Sequence, residues 1–343
     1  MNILADVSLP GLSAAFPYPF KLSYYHSFRE LPELLSGQDV LLCRSTLKVN
    51  SALLTNHSVR FVATASSGTD HLDHQFLKSK NIQMLDAKGC NATAVADYIV
   101  SCLAYLDEQL LINGNKAAII GMGMVGSEVC KRLQSLNFDI YPYDPLRALQ
   151  DNQFTSCNLK EIVDCDLICI HAELHHNEPH PSFDLFDEIV LKQLKPGCII
   201  INAARGGIVN EESILGLPKQ IIYCTDVYLN EPAIDKRIID KSTLCTPHIA
   251  GHSLEAKYKA VELISKQLHR IMKLPLPVYD EPELTESIQL NRQQSWQQLM
   301  LSLYNPFNET LGLKNAKNKE LAFITLRKNH QYRHDFKRYF DLF

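Results

Sequence analysis

The sequence predicts an α/β protein built on two parallel sheets, the larger of them doubly wound, and three observations predict it. From Lys116 onward, short β-branched runs alternate with longer segments of helical period, the pattern of parallel strands joined by crossover helices. Residues 1 to 110 repeat a similar rhythm on a smaller scale. Between one strand and the amphipathic segment after it lies "GMGMVG", residues 121 to 126, a G-x-G-x-x-G spacing in the strand–turn–helix context that gives such a match its weight.

In chain order, "NILAD", "DVLLCR", "VRFVATAS" and "NIQMLDA" read as short strands of the smaller unit, separated by turn-rich or helical pieces. Apolar residues at helical spacing in "ATAVADYIVSCLAYLDEQLL", 92 to 111, predict one long helix linking the two units. Six strands of the larger sheet follow: 116 to 121, 138 to 144, 166 to 172, 197 to 204, 221 to 227 and 243 to 248. They are apolar almost throughout, as strands covered on both faces must be. A second amphipathic helix is expected over 253 to 273, and the prolines of "LPLPVYDEP" end it. The expected domains are therefore 1–92 with 256–283, 93–255, and a short segment 284–343 richer in Gln, Asn, Lys and Arg.

Composition narrows the function. A chain of 343 residues, 46% hydrophobic, has enough apolar content for two or three cores. The net charge is −4 and the basic residues are scattered, which argues against a nucleic-acid partner. No apolar run approaches the ~20 residues that span a bilayer, and "MNILADVSLP" has no positive flank before an apolar stretch. No membrane partner and a cytoplasmic location are expected. Many of the ten cysteines sit in apolar strand-like runs and none forms a C-x-x-C, so reduced, buried thiols are predicted. No metal site is expected: "HAELHHNEPH" gathers His171, His175, His176 and His180 with Glu173 and Glu178, but its spacing fits no zinc pattern and its composition is that of a connecting loop.

The chemistry concentrates at strand ends. Gly121, Gly123 and Gly126 suit a tight turn, close approach of backbone to a pyrophosphate, and tight helix–strand packing. The loop residues Gly121, Gly123, Met124, Val125 and Gly126 are thus the expected cofactor-binding segment. Asp144 closes the next strand, where a carboxylate accepts hydrogen bonds from the adenosine ribose and repels a 2'-phosphate, so NAD is expected rather than NADP. Arg205, Glu231 and His248 each follow a later strand, and ligands of open α/β sheets bind beyond such ends. Pro247 stops its strand and delivers His248 just past it. An imidazole there suits the proton of a hydroxyl undergoing hydride loss, an adjacent carboxylate stabilises its charged form, and a guanidinium grips a substrate carboxylate. Asp226 suits the nicotinamide carboxamide. Taken singly, a strand-end Arg, Glu or His is more often a solvated surface group or a satisfied structural one.

In the order G-x-G-x-x-G, distal Asp, Arg-Gly, Asp then Glu-Pro, and Pro-His-Ile-Ala-Gly, the chain resembles the D-isomer-specific 2-hydroxyacid dehydrogenases. Further likeness within that family lies in "LLCRSTLKVN" (41 to 50), "FVATASSGTDHLD" (61 to 73), "KGCNATAVADYIV" (88 to 100), "HIAGHSLEAK" (248 to 257) and "FITLRKNHQYRHDFKRYF" (323 to 340). The resemblance implies a Rossmann NAD domain beside a smaller flavodoxin-like substrate domain, and a phosphorylated hydroxy acid as substrate. It implies His248 as acid/base, Glu231 as its partner, Arg205 as the carboxylate ligand, and Asp144 and Asp226 as NAD ligands with Gly251 close to the cofactor. Ser45, Ser66 and His252 would touch substrate, and the C-terminal segment would pair two copies into a homodimer. The chain departs from the family pattern at Tyr228 for Trp, Ala172-Glu173 for Thr-Pro, His252 for Tyr and Ser66 for Thr. Two alternatives stand beside this reading: another family member acting on glycerate or phosphoglycerate, and an NAD-sensing interaction protein, which would need the glycines but not the base.

Overall fold

The computed structural model describes residues 1–343 except 56, 218–220, 279–281, 284–292, 331–332 and 340–343. It divides into two compact units, Met1–Asn91 with Ser253–Thr285, and Ala92–His252 with Glu286–Phe343. The boundary expected at 283/284 falls against residues outside the described set.

The first unit is a five-stranded parallel sheet of β1 (Asn2–Asp6), β2 (Lys21–Tyr25), β3 (Val40–Cys43), β4 (Phe61–Thr64) and β5 (Gln83–Asp86), in the order β2-β1-β3-β4-β5. That is the flavodoxin-like winding. Side chains alternate across the sheet: Ile3, Ala5, Val40, Leu42, Phe61 and Ala63 face one core, while Leu4, Leu41, Cys43 and Val62 face the other. The helix Leu254–Ile271 lays Ala260, Val261, Ile264 and Leu268 into the first of these cores. Its N-cap is Ser253, whose side chain accepts the Ala256 N–H. The sequence reading passes over β2, because "KLSYY" is an edge strand with one buried residue and lacks the continuous apolar run of its neighbours.

The second unit carries β6 (Lys116–Ile120), β7 (Asp139–Tyr143), β8 (Leu167–Ile170), β9 (Ile199–Asn202), β10 (Ile222–Thr225) and β11 (Leu244–Cys245) in the parallel order β11-β10-β9-β8-β6-β7. The winding reverses at β6: the chain steps outward to β7, then returns past β6 to β8, and the crevice beyond the ends of β6 and β8 is the switch point. Ile119, Cys169, Ile201, Cys224 and Leu244 pack one face against the helices Ala92–Glu108 and Met124–Ser135. Ala118, Ile120, Ile168, Ile170, Ile200 and Cys245 fill the other. All ten cysteines are free thiols, and eight are buried.

The C-terminal segment joins this second unit. Its helix Trp296–Leu303 buries Met300 against Ala92–Glu108, and the next, Phe307–Asn315, covers the open edge of β11. There the Thr310 hydroxyl accepts the Cys245 N–H at 2.9 Å and shares its one hydrogen between the Cys245 carbonyl at 3.0 Å and the Pro306 carbonyl at 2.9 Å, covering the groups the two-residue strand would leave bare. Lys319 caps the same helix, donating from Nζ to the Leu313 and Lys314 carbonyls at 2.8 Å each. A third helix, Lys319–Asn329, follows.

Candidate active site

The glycine turn after β6 has little freedom. Gly121 has φ +86°, and a Cβ there would lie 2.6 Å from the Ala172 backbone; a Cβ on Gly126 would collide with the Gly121 carbonyl. Around Gly123, by contrast, a Cβ would stand in open space, and no side chain caps the helix Met124–Ser135 that Gly123 opens. Its first-turn N–H groups meet no side-chain acceptor among the described residues, which is what an anion at a helix start requires. Met124 beside them is 56% exposed and Val125 is half-buried. These residues fit a dinucleotide pyrophosphate.

Asp144 stands past β7, part-buried. Its Oδ2 accepts the Met122 N–H and its Oδ1 the Arg147 N–H, both at 2.9 Å, so it ties down the glycine turn and caps the helix Pro145–Gln150. Each oxygen keeps a further lone pair for a ribose hydroxyl. Beside the turn, past β8, His171 is part-buried with both ring nitrogens shut away and making no hydrogen bond among the described residues. Burial pushes its pKa down to about 3, so the ring is neutral.

Arg205, Glu231 and His248 follow β9, β10 and β11, three strands that are neighbours in the sheet, so their ends lie side by side. At the end of β9, Asn202 accepts the Ala204 N–H at 3.1 Å and donates to the Arg205 carbonyl at 3.0 Å, shaping the bend that carries Arg205. Gly206 then runs so close to the Tyr228 backbone that a Cβ would collide with its carbonyl. Tyr228 in turn donates its N–H to Glu231 Oε1 at 3.0 Å and its hydroxyl to the Thr246 carbonyl at 3.0 Å, joining the second loop to the third.

Glu231 Oε2 meets His248 Nδ1 at 2.7 Å, with the side chains 20% and 31% exposed. Burial works to raise the Glu231 carboxyl, but the attraction of the His248 ring, its hydrogen bond and the Tyr228 N–H hold it below the usual carboxylate range. The other ring nitrogen, His248 Nε2, makes no hydrogen bond among the described residues. His248 itself sits at φ +56°, a conformation a non-glycine residue keeps only when its surroundings impose it.

Asp226, 1% exposed, supplies part of that imposition. Its Oδ1 accepts the Thr246 hydroxyl at 2.6 Å and the Ile249 N–H at 2.8 Å, and its Oδ2 accepts the Ala250 N–H at 2.8 Å. Tyr98 extends the chain, its hydroxyl 2.8 Å from Thr246 Oγ1. The position expected only to meet a cofactor carboxamide is thus the anchor of the turn after His248, with one lone pair of Oδ2 left over. Gly251 and His252 complete that turn, both half-buried.

Ser45 and Ser66 belong to the first unit. Ser45 is exposed; Ser66 Oγ donates to the Gly68 carbonyl at 2.8 Å and lies 2.8 Å from Thr64 Oγ1, bracing the "SSGT" turn. Among the described residues, no three His, Cys, Asp or Glu side chains stand together as a metal site. Sequence reasoning misses Asn202, although the polar end of "IIIN" signals it.

Residues 104–250 match the family model described as D-isomer specific 2-hydroxyacid dehydrogenase, NAD binding domain. The chain is 59% identical to an erythronate-4-phosphate dehydrogenase of Legionella pneumophila strain Philadelphia 1, over 99% of this chain and 97% of that one. It is 34% identical to an erythronate-4-phosphate dehydrogenase of Coxiella burnetii strain RSA 331, over 98% and 93%. Among solved structures, the NAD+-bound 3-phosphoglycerate dehydrogenase of Entamoeba histolytica superposes with TM-score 0.67 at 18% identity, covering 82% of this chain and 99% of that one. An NAD-dependent formate dehydrogenase of Staphylococcus aureus does so with TM-score 0.63 at 22% identity, covering 82% and 100%. These two share the fold.

Proposed function

Since this chain belongs to the erythronate-4-phosphate dehydrogenases and carries the NAD-binding domain of the D-isomer-specific 2-hydroxyacid dehydrogenases, we propose that it oxidises 4-phospho-D-erythronate to (R)-3-hydroxy-2-oxo-4-phosphooxybutanoate with NAD, in the formation of pyridoxal 5'-phosphate. The observation that carries this reading is the Glu231–His248 pair, whose His248 Nε2 makes no hydrogen bond among the described residues, set among adjoining strand ends.

When bound, NAD supplies the hydride acceptor. The loop of Gly121, Gly123, Met124, Val125 and Gly126 holds its pyrophosphate by backbone N–H groups, Asp144 its adenosine ribose, and Asp226 and Gly251 its nicotinamide end. Arg205 grips the substrate carboxylate and polarises the neighbouring oxygen. His248 Nε2 takes the proton of the reacting hydroxyl, and Glu231, ionised, stabilises the imidazolium that results and fixes the ring through Nδ1. Ser45, Ser66 and His252 are assigned to substrate binding.

A panel of 4-phospho-D-erythronate, D-glycerate and 3-phospho-D-glycerate with NAD tests this by NADH formation. The four-carbon phosphate is expected to show the highest kcat/KM. Preference for either three-carbon acid would overturn the substrate, and NAD binding without any turnover would overturn the dehydrogenase.

The same reading includes a cytoplasmic homodimer. Leu321 and Ile324, 61% and 47% exposed on the helix Lys319–Asn329, support a paired tail, and no helix among the described residues is long and apolar enough to cross a membrane. Sedimentation of the intact chain at the mass of one copy would refute the dimer.

A further inference from the structure

The turn after His248 is gripped from two sides, and only one grip comes from the sheet. Asp226 takes the N–H groups of Ile249 and Ala250. The carbonyls of the same turn go to Arg333, eighty-odd residues later in the C-terminal segment: Nη2 donates to the Ala250 carbonyl at 2.6 Å and Nε to the His252 carbonyl at 3.1 Å. Nη2 also donates to the Ala94 carbonyl at 2.9 Å, at the start of the helix Ala92–Glu108. One buried anion and one buried cation thus fix the two polar edges of a single turn.

Arg333 is held there deliberately, in physical terms. It is 8% exposed, its guanidinium lies 4.6 Å from the Tyr304 ring centroid, and its Nη1 is buried with no hydrogen bond among the described residues. Leaving a buried donor unmade is unfavourable, so the position is tolerable only if the three carbonyl bonds and the aromatic face offset it. The segment is seated by a separate contact: Asp97, fully buried, turns one oxygen to Arg132 at 2.8 Å and the other to the Phe336 N–H at 2.8 Å. With Phe336 fixed to the helix Ala92–Glu108, Arg333 reaches the turn from a defined place.

We propose that Arg333 is a positioning residue for the proton transfer: by clamping the Ala250 and His252 carbonyls it keeps the Ile249–His252 turn in register, and so holds His248 in its left-handed conformation with Nδ1 on Glu231 and Nε2 outward. The C-terminal segment therefore acts on the chemistry of its own chain. This rests on the reading of His248 as the base.

Arg333→Met, Arg333→Lys and Lys319→Met in the full chain test it. Arg333→Met is expected to lower kcat about 10²-fold, the loss that a misplaced catalytic group brings, with KM for NAD little changed. The pH dependence of kcat should shift with it, and in the NAD-free protein the Ile249 and Ala250 amides should exchange hydrogen faster. Arg333→Lys, which keeps the charge but reaches fewer carbonyls, should recover part of both losses. Lys319→Met, which uncaps the C-terminal end of the helix Phe307–Asn315 at a side chain that makes no hydrogen bond to the turn among the described residues, should lower Tm but leave kcat and both amides alone. Folded Arg333→Met with wild-type kcat, pH profile and exchange would overturn the proposal. If Arg333→Met does not fold, wild-type kcat and exchange in Arg333→Lys would overturn it equally, and loss of kcat with faster exchange there would support it. Absence of turnover in the wild-type chain would instead overturn the dehydrogenase reading, while the exchange measurement still decides whether Arg333 holds the turn.

Discussion

Two imidazole–carboxylate pairs among the described residues of the second unit have nearly the same length. His248 meets Glu231 at 2.7 Å, and His330 meets Glu309 at 2.8 Å. Their surroundings differ. The first pair is 31% and 20% exposed, beyond a strand end, and its second ring nitrogen makes no hydrogen bond among the described residues. The other is 3% and 14% exposed inside the C-terminal segment, where His330 Nε2 is buried with no hydrogen bond among the described residues and the Tyr304 hydroxyl donates to Glu309 at 3.3 Å. The short hydrogen bond to a carboxylate is common to both; what separates them is how far the ring is exposed. His171 is the third case, an imidazole with both nitrogens shut away.

The largest effect should come from breaking the pairs separately. His248→Ala is expected to cost about 10² to 10⁴ in kcat with NAD binding intact, as loss of a general base does. His330→Ala, at a ring that packs 5.9 Å from His252 and 5.7 Å from Tyr304, should lower Tm and cost far less in kcat than His248→Ala. Comparable kcat losses in both would show that access is not what separates them.

His171 sharpens the contrast through pH. Its pKa is about 3 in the folded chain and ordinary, near 6.5, in the unfolded one. Below 6.5 the unfolded chain takes up a proton that the folded chain refuses, so this contribution to stability is complete above pH 6.5 and falls toward pH 3. The slope is about 1.4 kcal/mol per pH unit. His171→Phe should flatten urea-unfolding stability between pH 7 and pH 5 relative to wild type; an unchanged slope would mean that the ring is protonated when folded.

The smallest effect concerns the edge of β11. Thr310→Val keeps the shape but removes the hydroxyl that meets both Cys245 groups. It should cost about 1 to 3 kcal/mol of stability with kcat unchanged. A fall in kcat matching that of Arg333→Met would show that the whole tail, rather than one guanidinium, governs the turn.

How much of this is legible in the sequence follows from the physics of each part. The central strands announce themselves because burial on both faces demands runs such as "LICI" and "IIIN". Edge strand β2 is shielded less and carries no such run. The helices 92–111 and 253–273 are visible by period, and the structure trims them to Ala92–Glu108 and Leu254–Ile271. The tail helices are not visible: Phe307–Asn315 and Lys319–Asn329 have weak apolar stripes, each placing one residue, Leu313 or Phe323, deep in the second core beside polar contacts such as Thr310 to Cys245. At the site, Pro247 and the strand ends point to His248, Glu231 and Arg205 because geometry confines ligands there. Arg333 acts on backbone carbonyls, which every residue possesses, so no local spacing betrays it.

The cover over β11 has a consequence for how the molecule comes into being. Thr310 lies 65 residues after the strand it shields, so on the ribosome the sheet is complete while its last strand still waits for a hydroxyl held in or near the exit tunnel. During that interval the newborn chain offers a bare hydrogen-bonding rim to any passing strand. Slow decoding between Cys245 and Thr310 would therefore favour clumping of the uncovered sheet.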